Sequence, residues 1–154
     1  MRAWTKGAAD VERMLAATKP ELQRVPSAQL SAPASLARAR QLLVSAGTLV
    51  DADPDSAFVL AYDAARQAGV AVLAQQGLRA TQEGGHLAVE RTLRAQFAPG
   101  FADYGYLRRR RNELEYPSAT GPETTSAAEA RQALVDAADI VDKAAALLAA
   151  LELF

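Results

Sequence analysis

The chain contains no cysteine, which excludes a disulfide framework, a cysteine-ligated zinc site and any thiol nucleophile. Histidine is nearly absent as well: His86 stands alone, so one chain cannot build a histidine-rich metal site. Isoleucine occurs once and valine ten times, against 36 alanines, so the apolar half of the sequence favours helix over strand. No run approaches 18 uninterrupted apolar residues, and the N-terminus has no apolar stretch of the secretory kind. A net charge of −1 gives no global pull toward nucleic acid or membrane. These absences predict a soluble, cytoplasmic protein with no metal or cofactor. At 154 residues it is large enough for one core without staples.

The near-zero total hides an asymmetry. Residues 77–111 carry seven basic and three acidic groups, and residues 112–154 carry two basic and eight acidic ones. The basic part culminates in Arg108-Arg109-Arg110-Arg111. Such an imbalance suggests a polar partner surface without naming the partner.

The patterning predicts an all-α, antiparallel up-and-down bundle of about five main helices with no sheet. An N-terminal arm (1–33) carries a short helix near residues 8–17 and is then broken by Pro20, Pro26 and Pro33. The bundle proper spans 34–154. Leu36, Ala39, Leu43, Ala46 and Val50 recur at steps of three and four, which predicts a helix over 34–52. Asp53-Pro54 is a strong helix start, and the helix it opens should run over 54–76 on a stripe of Phe58, Ala61 or Tyr62, Ala65, Ala68 and Val72. Residues 77–85 read as a polar loop. A helix over 86–97 carries Leu87, Leu93 and Phe97. Another spans 101–116, stopped by Pro117. After a loop, Ser126 and Glu129 resemble a capping box for a last helix over 126–152, with Ala127, Ala130, Leu134, Ala137, Val141, Ala144, Leu148 and Leu151 on one face.

One position breaks the pattern. Tyr104, Leu107 and Leu114 form a seam whose spacing demands an apolar residue at 110 or 111, and both are arginine. An unpaired buried charge costs several kcal/mol, so such an arginine must find acceptors or a phosphate. The plain alternative is a solvated run near a helix C-terminus, with Arg111 paired to Glu115 one turn on.

The stretch Leu107-Arg-Arg-Arg-Arg-Asn-Glu-Leu-Glu-Tyr-Pro117 resembles the signature region of HEPN-domain proteins, in which an arginine, often followed by Asn or Asp, precedes a histidine by about five positions. Val25-Pro26, Ala61-Tyr-Asp-Ala-Ala-Arg66, Gln76-Gly-Leu-Arg79 and Gly84-Gly-His86 extend the resemblance, toward a HEPN subfamily, over most of the chain. The resemblance implies a helical bundle that forms a homodimer. In active members, each protomer brings Arg and His to a shared cleft that cuts RNA. It also implies a toxin–antitoxin or defence setting, with a nucleotidyltransferase as partner protein.

The chain departs from the active pattern at the histidine. With Arg111 as the motif arginine and Asn112 as its polar follower, the histidine position holds Tyr116. Metal-free RNA cleavage needs a group that removes and returns protons near pH 7. Histidine, with an ordinary pKa of about 6.5, does both, whereas a tyrosine near 10 is only about one-thousandth ionised. Arg108, Arg111, Asn112 and Tyr116 therefore read as a phosphate- or RNA-binding set with degraded catalysis. His86, the one conventional base, is either a helix-start residue or a catalyst transferred to another helix. The alternatives are an active metal-independent endoribonuclease using Arg111 with His86 or Tyr116, and a pure protein-interaction module. Asp63 and Arg66 read as a surface pair, or Asp63 as an anchor for the clustered arginines. Trp4 reads as a packing anchor.

Overall fold

A computed structural model of the protein describes residues 4–26, 29–116, 118–121 and 123–154. Pro117, the expected helix stop, lies outside them. The chain folds as α1 (Ala8–Ala16), β1 (Leu22–Arg24), α2 (Ala32–Leu49), α3 (Pro54–Gln75), β2 (Leu78–Ala80), α4 (Gly85–Phe97), α5 (Ala102–Glu115) and α6 (Ala127–Leu148). The all-α bundle predicted from the sequence is what forms.

Helix α3 is the axis of the fold. It packs on α2, α4, α5 and α6, and all five residues of its predicted stripe are buried. Its window of mean hydropathy 1.2 would be apolar enough to cross a membrane, yet 67% of that window is buried inside the bundle. Alanines at 57, 61, 64, 65, 68 and 71 are fully buried, so neighbouring backbones approach closely at little cost in side-chain entropy. Large side chains fill the remainder: Phe58, Tyr62, Leu73, Leu93, Tyr104, Leu107 and Ile140 are all buried, and burial of a residue of this size stabilises by about 1.5–3 kcal/mol.

The predicted starts hold in detail. Asp53 caps α3, accepting from the Ser56 amide at 3.1 Å, and the Ser56 hydroxyl, then this amide, hold its carboxyl below the usual range. Ser126 caps α6 by accepting from the Glu129 amide at 3.0 Å. Glu129 does not reach back to complete the box, because Arg110, Tyr106 and Thr125 all bond its carboxylate.

Two expectations are corrected. A small antiparallel ladder exists where no sheet was predicted, with Leu22 opposite Ala80, Gln23 opposite Arg79 and Arg24 opposite Leu78. Three-residue strands are too short to show alternation, and prolines and glycines flank them. Burial of Leu22 and Leu78 fixes their register all the same. The arm is thereby stitched to the bundle, and Val11 of α1 and Leu22 of β1 belong to the same core as α3. The second correction is at the C-terminal end. Helix α6 stops at Leu148 rather than near 152, and the tail turns back so that Leu151 is buried and the Phe154 amide donates to the Gln76 carbonyl at 2.9 Å. No Gly or Pro announces this end; long-range contacts produce it.

Candidate functional site

Helix periodicity sends the four arginines of α5 in different directions. Arg109 is exposed. Arg110 turns toward α6, where Nε donates to Glu129 at 2.8 Å, Nη1 reaches Glu113 and Glu123 at 3.0 Å each, and Nη2 donates to the Thr124 carbonyl at 2.8 Å. Only 15% of its side chain is exposed. The Glu129 bond, above all, holds the guanidinium protonated beyond its ordinary range, and the same bond lowers the Glu129 carboxyl. Arg110 is a structural clamp between α5, α6 and the loop before it.

Arg108 turns toward α4 and donates through Nε to Glu90, which also pairs with Arg94. Glu90 is 4% exposed, a carboxylate set into the core and compensated by two guanidinium groups. Gly105 makes room for it: a Cβ there would lie 2.8 Å from Glu90 Oε1.

Arg111 faces inward, as the seam demanded, and its side chain is 16% exposed. Nη1 donates to the Asn112 amide oxygen at 3.2 Å, and Glu115 lies 3.7 Å from Nη2, too long for a hydrogen bond. Nε is buried without any hydrogen-bond partner. The guanidinium carbon sits 5.8 Å from the Tyr62 ring centre and 6.0 Å from that of Tyr116. Aromatic faces thus supply part of the stabilisation that carboxylates supply to Arg110. The plain alternative, pairing with Glu115, is present only as this loose contact.

Tyr62 links Arg111 to His86. Its hydroxyl and His86 Nδ1 are 2.9 Å apart, and its ring meets Tyr104 edge-on at 5.9 Å. Burial raises Tyr62 above the ordinary tyrosine range, while Arg66, Arg111 and Arg108 pull it part of the way back. Burial, then Arg66 and Arg111, lower His86 below the ordinary histidine range. The imidazole is therefore neutral at pH 7 and able to accept a proton.

The structure gathers Arg111, Asn112 and Tyr116 at one end of α5, and Tyr62 joins them to His86. Arg108 lies one turn back, committed to Glu90. Tyr116 is 68% exposed and just past the helix, in an extended conformation. Asp63 pairs with Arg66 at 3.6 Å and makes no ion pair with residues 108–111 among the described residues. Trp4 is a packing anchor, its ring tilted against Phe97 at 5.0 Å between centroids and its indole N–H on the Gln96 carbonyl. Among the described residues no three acidic or histidine side chains cluster in a way that could hold a metal ion.

Tyr62, Arg66 and Glu90 escaped the sequence reading as parts of the site. Glu90 was within reach: it sits three residues from both Leu87 and Leu93, where the α4 stripe demands an apolar residue, the same conflict that singled out Arg111. Tyr62 carried no such mark, because an aromatic is at home on an apolar stripe.

The fold and this cluster define an all-α helical bundle with an arginine–aromatic centre. No family model matches the chain, and no curated protein or solved structure matches it.

Proposed function

We propose that the protein is a HEPN-type, homodimeric helical protein of the cytoplasm that binds RNA or a nucleotide phosphate through Arg108, Arg111, Asn112 and Tyr116, with degenerate catalysis. The observation that carries this reading is Arg111, whose Nε is buried without a partner and whose guanidinium lies between two aromatic rings. Its Nη2, which meets only the loose Glu115 contact, keeps donors for phosphate oxygens, and the exposed Tyr116 ring offers a face on which a base stacks. The 68% exposure of Tyr116 also leaves it open to cover by a second protomer. The toxin–antitoxin or defence role with a nucleotidyltransferase partner rests on the resemblance alone, and a neighbouring reading frame encoding such an enzyme would support it.

Fluorescence anisotropy with labelled single-stranded RNA at several salt concentrations tests the binding. The logarithm of affinity should fall with log salt at about 0.7 per phosphate neutralised. A flat salt slope, with no loss in Arg111→Ala, would leave the cluster as a docking surface for an acidic protein. Light scattering tests the dimer; a single chain mass at micromolar concentration counts against it.

The Tyr62–His86 contact favours a second reading, an active metal-independent endoribonuclease. There the neutral His86 takes the proton from a ribose 2′-hydroxyl, and the oxygen attacks the adjacent phosphorus. The 5′-oxygen leaves with the proton that His86 returns and a 2′,3′-cyclic phosphate remains, while Arg111 stabilises the charge on the pentacoordinate phosphorus. RNA cleavage in EDTA that His86→Ala abolishes would establish this reading over the first.

A further inference from the structure

His86 also borders a separate space. A cleft of about 330 Å³ lies between α3, β2 and the start of α4. One part of its wall is apolar, formed by Val70, Leu73, Leu78 and Val89. The polar part is Arg66, Arg79, Thr81 and His86, and no carboxylate lines it. That composition sets it apart from four other clefts. Asp10 and Glu21 line the one between α1 and α4, Glu90 the one beside Gly105, Asp55 and Glu115 the one at the start of α3, and Glu152 the one under the tail. In the first of these the three arginines are already engaged, Arg91 by Glu21 at 2.8 Å, Arg13 by Asp10 and Arg94 by Glu90.

The cations of the His86 cleft are less well served. Arg66 Nε is buried and has no hydrogen-bond partner, and its ion pair with Asp63 is 3.6 Å long. Arg79 is fixed by Gln23, opposite it in the ladder, whose amide oxygen accepts from Nε and Nη2 at 3.1 Å each. Thr81 shapes the turn into α4, accepting from the Gly84 amide at 3.1 Å. No side chain caps that helix, and a Cβ on Gly85 would meet nothing within 4 Å. With Nδ1 facing the Tyr62 hydroxyl, the imidazole is held in place, and its other nitrogen has no partner among the described residues.

We propose that this cleft is a binding site for a phosphate monoester on a flat or apolar body, of the size of a nucleoside monophosphate, with Arg66, Arg79 and His86 on the phosphate and the leucine–valine wall on the body. The volume is at the lower end for small-molecule sites and matches one such ligand. The site is separate from the RNA-binding reading, since none of Arg108, Arg111, Asn112 and Tyr116 lines the cleft. A phosphate dianion here reverses the electrostatics of His86. The imidazole now sits below its ordinary range because of burial and the nearby Arg66, Arg111 and Arg108, with Asp63 pulling the other way. A neighbouring anion favours the charged form and raises it.

His86 is the only histidine, so its ring gives one assignable set of NMR signals in the full chain. The ligands are AMP, adenosine and inorganic phosphate, titrated separately while the His86 resonances are followed as a function of pH. AMP should shift them saturably and raise the pH of half-protonation, with adenosine and phosphate each binding about tenfold more weakly or worse. Arg66→Ala and Arg79→Ala should each weaken AMP by about tenfold. Arg79 is exposed, so its variant remains informative if Arg66→Ala misfolds. Arg111→Ala should leave AMP affinity within about twofold while it weakens RNA, which separates the two sites. The proposal is overturned by the absence of a saturable shift up to about 10 mM AMP. Adenosine binding as tightly as AMP overturns it too, as does undiminished binding by the Arg79 variant.

Discussion

The Arg111 guanidinium carbon lies 5.8 Å from the centre of the Tyr62 ring, and the hydroxyl of that same ring meets His86. One aromatic side chain from the middle of α3 therefore touches both Arg111 and His86. It also presents the arginine with a face rather than a carboxylate. The charge is retained near the surface with only the loose Glu115 contact, 3.7 Å away, to balance it, and a charge so lightly paired attracts a phosphate.

Arg110 and Arg111 are neighbours in sequence with opposite expected phenotypes. Arg110→Ala removes the clamp on Glu129 and should lower stability by about 1.5–3 kcal/mol, the range for hydrogen bonds to charged groups. Arg111→Ala should leave the thermal midpoint close to wild type and weaken RNA binding by about tenfold. Calorimetry and anisotropy on the two variants check this. Equal loss of RNA affinity in both would place the binding face elsewhere on α5.

Tyr116→His should restore an acid–base group at the end of α5, about 6 Å from Arg111, and create or raise metal-independent RNA cleavage. Arg111→Ala in that background should abolish the gain. Tyr116→Phe in the natural protein should cost about 0.5–1.5 kcal/mol of binding and leave turnover at background. Product analysis in EDTA provides the readout. Wild-type protein that cuts RNA and loses the activity on Tyr116→Phe would make the tyrosine itself catalytic.

Gly105→Ala places a methyl group 2.8 Å from Glu90 Oε1. The carboxylate must move, and Arg108 and Arg94 lose the geometry of their shared acceptor. A destabilisation of about 1–3 kcal/mol is expected from this overpacking, measured by urea unfolding. An unchanged midpoint would mean that Glu90 has a second resting place.

His86 makes stability pH-dependent, with a definite sign. Its folded-state pKa is lowered, so the unfolded chain binds the proton more readily. Stability is therefore full above the unfolded value of about 6.5 and declines as the pH falls through it toward the lower folded value. Urea midpoints between pH 7.5 and 5.5 (values of about this range bracket the transition) should fall in the wild type and flatten in His86→Gln. A slope that persists unchanged in the variant would assign it to carboxylates.

Much of this architecture was legible because it is written at helical period. The α2, α3 and α6 stripes, the Asp53 and Ser126 caps and the inward turn of Arg111 all follow from residues three or four apart. What was not legible depends on partners far along the chain. Residues 22–24 and 78–80 become strands only by meeting each other, and α6 ends at Leu148 because residues 151–154 find Gln76. The same holds within the site. Arg111 announced itself as a charge in an apolar place, whereas Tyr62 shows its role only when His86, 24 residues away, comes into contact.

Gln76 and Gln96 are buried and bond each other through their side-chain amides at 2.7 and 3.1 Å. Their carbonyls receive the two outermost segments of the described chain, Phe154 on Gln76 and Trp4 on Gln96. Ends that usually fray independently are here joined through a single knot of amides. Loosening one weakens the seat of the other, so hydrogen exchange in α1 and in the tail should follow one shared opening. A protease that waits for either end to detach must wait for both.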